Sequence, residues 1–359
     1  MENSSQMSGD RIKALIRDFI AASPRNTMGN ETGEPAWEDV LVGFASGADP
    51  MWQQFKEYVG AFHWTPWEVF SQHCPAQSAS PEELMVVSWV LPQRVSVRKA
   101  NRRAKTFPSE EWARIRVYGE AFNAALRRHV AGHLTEAGHA AVAPMLVPNW
   151  TIVNSRRFSY ASSWSERHAA HAAGLGTFGL CDGLITARGK AMRVGSVVAR
   201  ISIEPTPRPY ADHRAYCLFF AEGTCGKCID RCPARAITEA GHDKEKCRQH
   251  LARSREHVAK SYGFEGYGCG LCQVGVVTLP GGLQYKIITD GTGAMPGPED
   301  VVKVHYTGKT IDGTKFDSSY DRGEPAQFRV SNVIRGWVEG LQLMKEGAKW
   351  MLYIPYDLA

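Results

Sequence analysis

The spacing of apolar residues changes several times along the chain, and each change marks an element. Over residues 11–22, Ile12, Leu15, Ile16, Phe19 and Ile20 recur at helical spacing and Pro24 follows, which predicts a helix with one buried stripe. Residues 84–91 (LMVVSWVL) are an unbroken apolar run ended by Pro92; a run without alternation fits a strand covered on both faces. A long helical region is predicted over 110–137, after Pro108 and Ser109 and before Gly138. Ser163 and Glu166 have capping-box spacing for a helix through Ala173. Residues 194–203 suit a further strand, and 204–209 (EPTPRP) a linker. From Thr278 the pattern becomes short strands separated by turn dipeptides such as Pro280-Gly281 and Asp312-Gly313.

These elements predict a multidomain α+β chain: an α/β domain over 1–204, a cysteine-rich module over 210–276 and a small antiparallel domain over 278–359. At 359 residues there is length for several cores. The 42 basic and 37 acidic residues leave a net charge of +5 with no dominant tract, so charge gives no argument for a nucleic-acid surface. The densest basic run, 94–103 (RVSVRKANRR), reads as a solvated loop. The N-terminus has no apolar signal core, and no window approaches the about 18–20 apolar residues of a membrane span. A cytoplasmic protein without membrane contact is expected.

Nine cysteines in such a chain point to metal ligation, because structural disulfides rarely persist in a reducing compartment. Cys217, Cys225, Cys228, Cys232, Cys247, Cys269 and Cys272 crowd into one segment. Cys225-Gly-Lys-Cys228-Ile-Asp-Arg-Cys232-Pro233 gives C-x2-C-x3-C-P, the later part of a bacterial ferredoxin run, whose pre-proline cysteine reaches a second cluster. Two 4Fe-4S clusters are expected, one on Cys232, Cys247, Cys269 and Cys272. The other, on Cys217, Cys225 and Cys228, is one ligand short. Zinc is the alternative, since C-x2-C pairs also build tetrahedral sites. Cys74 and Cys181 read as packed thiols.

The order of C-x2-C-x3-C-P, a single cysteine and then Gly268-Cys269-Gly270-Leu271-Cys272-Gln273 resembles the C-terminal part of epoxyqueuosine reductase and its iron–sulfur relatives. In that family an eighth cysteine follows closely; here its place falls at or within one position of Val276. The segment 173–179 (AGLGTFG) extends the resemblance and makes Gly174, Gly176 and Gly179 candidate cofactor-binding positions. It also spells G-x-G-x-x-G, but residues 164–173 read as helix where a dinucleotide fold needs a strand, so a tight backbone turn is the plainer reading. The resemblance implies cobalamin supplied with electrons by the clusters. It further implies an electron donor such as ferredoxin or flavodoxin, and tRNA as the one nucleic-acid partner. The family's substrate-protonating acid aligns with Ala121, and Glu120 takes its place only by a register shift. A general redox role is therefore the safer implication.

Residues 282–293 (GLQYKIITDGTG), 301–330 (VVKVHYTGKTIDGTKFDSSYDRGEPAQFRV) and 332–359 (NVIRGWVEGLQLMKEGAKWMLYIPYDLA) resemble FKBP-type peptidyl-prolyl isomerases of the macrophage-infectivity-potentiator kind. The resemblance implies an antiparallel sheet wrapped on one short helix and X-Pro peptides or unfolded protein segments as substrate. Its cleft maps to Tyr306, Phe316, Asp317, Phe328, Val333, Ile334 and Trp337, with Trp337 as the floor. Taken singly, each aromatic would read as core and Asp317 as a turn residue. X-Pro rotation crosses about 18–20 kcal/mol because the imide is conjugated, and an apolar cleft lowers that barrier by favouring the twisted state. The family continues beyond the final Asp-Leu-Ala with a loop and a strand, so an incomplete sheet and weak turnover are expected of this sequence. The whole reads as an iron–sulfur redox protein carrying an isomerase domain. The alternatives are a folding helper first of all, or a chimera with neither activity intact.

Overall fold

The computed structural model describes residues 7–155, 157–223, 225–274, 277–278, 283–289, 291–310, 313–354 and 356–359. Val276, Pro280-Gly281 and Asp312, on which expectations above rest, lie outside them.

Helix α1 (Gly9–Ala22) buries Ile12, Ile16 and Ile20, and its Ser8 cap accepts a hydrogen bond from Arg11 N at 3.3 Å. It covers a four-stranded sheet of β1 (Leu41–Ser46), β2 (Leu84–Pro92), β3 (Ala141–Val142) and β4 (Met192–Arg200), in the order β1-β2-β4-β3. Every pairing is antiparallel. This corrects the α/β expectation to α+β, because alternation of helices and strands along a sequence does not fix strand direction. All nine positions of β2 are buried. Met85, Val87, Trp89 and Leu91 join one core, and Leu84 and Val86 join another with Trp52 and Trp164. That is the two-residue period of a strand packed on both faces.

The region predicted as one long helix is three joined segments: a helical turn Glu110–Arg114, a π-helical turn Ile115–Gly119, and α2 (Glu120–Glu136). Trp37 pins the wide turn by donating from Nε1 to Gly119 O at 3.2 Å. Helix α3 (Glu166–Ala172) is capped by Ser165, and no side-chain cap bond forms there. The expected capping box is absent because Ser163 Oγ accepts from Thr151 N and Glu166 turns to Arg127 instead. The basic run is a helix, Val95–Arg103, not a loop. Val97 and Asn101, four residues apart, are its buried positions, and Arg94 before it pairs with Glu34 and Glu38. Residues 204–209 are irregular as expected, yet Thr206 exchanges hydrogen bonds with Phe44 on β1 and lies along that strand.

Helix α4 (Lys244–Tyr262), capped by Asp243, follows the cysteine run. Among the described residues the C-terminal part holds three antiparallel pieces. β5 (Val277–Thr278), β6 (Gln284–Thr289) and β11 (Lys349–Tyr353) form one sheet, β7 (Val301–Val304) pairs with β10 (Ala326–Arg329), and β8 (Thr307–Lys309) pairs with β9 (Lys315–Ser318). Helix α5 (Arg335–Leu341) lays Gly336 and Gly340 against Ile354 and Leu352. Among the described residues no helix is long and apolar enough to cross a membrane.

Candidate functional sites

The glycine-rich segment is a tight backbone loop. After α3, Gly174 takes φ of 77°, Gly179 N donates to Gly183 O at 2.8 Å, and Asp182 N donates to Gly179 O at 2.9 Å. A Cβ on Gly176 would overlap Ile185 O, and one on Gly174 would stand 2.7 Å from Pro207 O. Gly174 and Gly176 are therefore demanded by close backbone packing, whereas a Cβ on Gly179 would meet the Ile185 side chain at 3.1 Å. At the tip of the loop is Cys181, buried at 6 % exposure.

Cys181 meets the cysteines of the ferredoxin-like run. Cys217 precedes a short helix (Leu218–Glu222), Cys228 lies in another (Lys227–Asp230), and Cys272 lies in a 3-10 turn (Leu271–Gln273). Cys181, Cys217 and Cys228 share one small buried core, and Cys272 packs against it. Lys190 Nζ donates to Cys181 Sγ at 3.8 Å. Burial works against the Lys190 charge, but the facing sulfurs of Cys181, Cys228, Cys272 and Cys217 outweigh it and push its pKa up. The neighbouring Cys228 and Cys272 sulfurs, and the Lys190 charge, draw the Cys181 thiol well below the ordinary range.

A second group lies beside the first. Cys269 faces Cys247 and Cys232, and burial pushes its thiol up to about 11. Ala236 N donates to Cys232 Sγ at 3.2 Å, and His242 reaches both Cys247 and Asp182. Cys272 packs against the Cys181 core and also faces Cys269, so the two groups adjoin at this residue. Cys225 is half-buried. The sequence reading missed Cys181 and Lys190; the available signal was the position of Cys181 two residues after the last glycine of AGLGTFG.

The thiol set fits clusters in its chemistry, since eight cysteines supply soft ligands within one partly buried region. Among the described residues no three His, Cys, Asp or Glu are drawn together around a single ion; a cubane spreads its thiolates over four iron corners. Cobalamin is different. Cavities of about 350 Å³, bounded in part by Lys13, Arg17 and Gly174, and about 480 Å³, beside Lys246 and Arg253, are of small-ligand size, and neither is lined by a cysteine. A corrinoid fits neither. Glu120 is already engaged, pairing with Arg127 at 3.0 Å and Arg193 at 3.5 Å.

In the C-terminal domain, Tyr306, Phe328 and Trp337 meet edge to face. The Tyr306 and Trp337 rings are 5.0 Å apart at 89°, and those of Phe328 and Trp337 are 5.7 Å apart at 87°. Tyr306 Oη donates to Asp317 Oδ2, and Arg322 donates both to Asp317 and to Tyr306 Oη. The Tyr306 bond, then Arg322, hold the Asp317 carboxyl below its usual range. Val333 is half-buried, whereas Ile334 and Phe316 are exposed, Phe316 at 69 % with its ring over Gly308.

Tyr306 and Phe328 stand edge-on to Trp337 of the short helix α5, with the tyrosine hydroxyl fixed by a carboxylate, and the class this apolar site defines is the FKBP-type isomerase domain. Residues 293–359 match the family model of FKBP-type peptidyl-prolyl cis-trans isomerases. Over 107 residues the chain is 51 % identical to the outer membrane protein MIP of Legionella longbeachae, covering 30 % of this chain and 45 % of that protein. Over 85 residues it is 58 % identical to the FKBP-type 22 kDa peptidyl-prolyl cis-trans isomerase of Escherichia coli K12, covering 24 % and 41 %. The chain thus spans less than half the length of these relatives. A solved epoxyqueuosine reductase aligns with 74 % of this chain and 64 % of its own at 15 % identity and a TM-score of 0.38, a likeness too distant to establish a shared fold.

Proposed function

We propose that the C-terminal domain rotates X-Pro bonds in peptides or unfolded protein segments. The observation that carries this is the ring set of Tyr306, Phe328 and Trp337, with Trp337 edge to face against the other two, found where the FKBP sequence match lies. The rings exclude water from the bound proline, and a dry, weakly polar wall disfavours the charge-separated planar imide more than the twisted one. The Asp317 and Arg322 contacts fix the Tyr306 ring, so the cleft keeps its shape through the rotation. A protease-coupled peptide assay of this chain tests the reading; a Trp337→Ala variant as active as the parent would sink it.

A second reading concerns the preceding part: it carries electrons, received from a donor of ferredoxin or flavodoxin type, with tRNA as the one nucleic-acid partner that the resemblance implies. The two adjoining thiol groups support it. A bound 4Fe-4S cluster supplies one-electron transfer. Around it, Leu180, Ile237 and Ile229 keep water from the sulfurs. The Lys190 ammonium faces them and favours the more negative, reduced form. Anaerobic purification with iron and sulfide analysis decides it: about eight irons per chain fits two cubanes and about four fits one, while zinc alone would end it.

A further inference from the structure

Cys181 lies outside the ferredoxin-like run, 36 positions before its first cysteine, yet it is buried in one core with Cys217 and Cys228, and Cys232 and Cys272 pack against that core. The loop that carries it is bent for this purpose. Asp182, the next residue, takes φ of 55°, and a Cβ on Gly183 would stand 3.2 Å from Cys181 Sγ. Leu180, Cys217, Cys228 and Ile237 bury the thiol in one small core, and Cys232 and Cys272 pack on it. The remaining cysteine outside the run, Cys74, packs instead in the Trp52 and Trp164 core.

The sequence supplies the reason such a thiol is needed. Cys217, Cys225, Cys228, Cys232, Cys247, Cys269 and Cys272 fall one short of two fully thiolate-bound cubanes, and position 276 holds valine. Building on the iron–sulfur reading above, we propose that Cys181 is an iron ligand, the eighth thiolate of the two-cluster module, delivered by the glycine-rich loop from the opposite direction along the chain. Each Fe–S bond forms as the thiol proton leaves to solvent, with no change in electron count. The loop's glycines thereby acquire a role in cluster assembly: they let residues 174–185 double back so that position 181 reaches the cubane.

The test uses the full chain reconstituted anaerobically with isotopically enriched iron. In the unmodified chain about eight irons, all thiolate-bound, should give Mössbauer spectra without a separate class for a corner lacking cysteine. A distinct doublet of about one eighth of the iron, the signature of a seven-thiolate set, would overturn the assignment. That measurement needs no variant, so it stands even where substitution disturbs folding. Cys181→Ser should lose about one iron in eight and yield a three-iron EPR signal on oxidation, whereas Cys74→Ser should match the parent. A fully loaded chain whose Cys181→Ser variant is indistinguishable in iron, sulfide and EPR overturns the assignment alone. A parent that takes up no iron overturns the iron–sulfur reading with it.

Discussion

Trp112 lies flat against Gly270, so that a Cβ on Gly270 would penetrate the indole. Gly270 also takes φ of 63°, and it separates Cys269 from Leu271 and Cys272 in the turn that feeds both thiol groups. The turn is tied to the N-terminal domain by two further bonds, Asn101 Nδ2 to Cys269 O at 3.0 Å and Arg102 Nε to Val274 O at 3.0 Å. Gly270→Ala should cost about 1–3 kcal/mol through overpacking and backbone strain, read by urea denaturation. Because the clash is with one ring, Trp112→Ala in the same chain should recover part of that loss. Strictly additive effects would show that the strain of the positive φ alone is responsible.

What the sequence disclosed follows from which interactions are local. The helix over Ile12, Leu15 and Ile16 and the doubly buried strand at 84–91 were legible because periodicity records burial directly. The capping box at Ser163 and Glu166 was misread because Arg127, 39 positions away, draws Glu166 into a pairing that no local pattern encodes. The basic run became a helix because Val97 and Asn101 face the interior, a weak signal among five cationic neighbours. Cys181 is a buried, packed thiol as the sequence suggests, but the cysteines it packs with were not legible because they arrive by a chain reversal. The aromatic cleft was legible as a motif string, although its geometry separates Tyr306, Phe328 and Trp337, which meet, from Phe316, which stands out in solvent.

Arg127 and Glu166 form a pair with side chains 2 % and 9 % exposed and an Nε to Oε1 distance of 2.8 Å. Arg127 also donates to Val194 O at 2.9 Å, and Ser196 Oγ donates to Glu166. Arg127→Met should lose about 3–5 kcal/mol, because it strands a buried carboxylate. Arg127→Met with Glu166→Leu should be less damaging than Arg127→Met alone, since no charge is left uncompensated. Thermal and urea unfolding of the two variants and the parent gives the comparison.

Three histidines pack around Phe55 and Phe178: His63, His168 and His171. Burial is the leading cause of a lowered pKa in each, and for His168 it lies well below the ordinary 6.5. Lys56, Glu68, Arg167, Lys244, Arg208, Asp212 and His213 are the charged or titratable groups acting on them. A depressed histidine is neutral in the folded chain and takes up a proton in the unfolded chain below 6.5. Stability is therefore intact above that value and falls as acid is added, by at most about 1.4 kcal/mol per pH unit for each histidine. Urea midpoints from about pH 8 to about pH 5 should decline in the parent and decline less in His168→Phe. Equal slopes would assign the acid sensitivity elsewhere.

The cleft yields a prediction that separates ring packing from hydrogen bonding. Trp337 touches both Tyr306 and Phe328, so Trp337→Ala removes the surface shared by the other two rings and opens the cleft to water. Since the rings act on the twisted state, the loss should fall mainly on kcat, and by about tenfold or more. Tyr306→Phe keeps the ring and removes the hydroxyl that bonds Asp317 and Arg322. A single hydrogen bond contributes about 0.5–1.5 kcal/mol, so its effect should stay within about tenfold. Asp317→Asn retains an acceptor for the hydroxyl but loses the Arg322 ion pair, which is exposed and screened by salt. Its turnover should therefore lie between that of Tyr306→Phe and the parent, and added salt should narrow the gap by weakening the parent's own pair. If Asp317→Asn proved as damaging as Trp337→Ala, the carboxylate would have to act on the substrate itself, and fixing the Tyr306 ring would not be its main task.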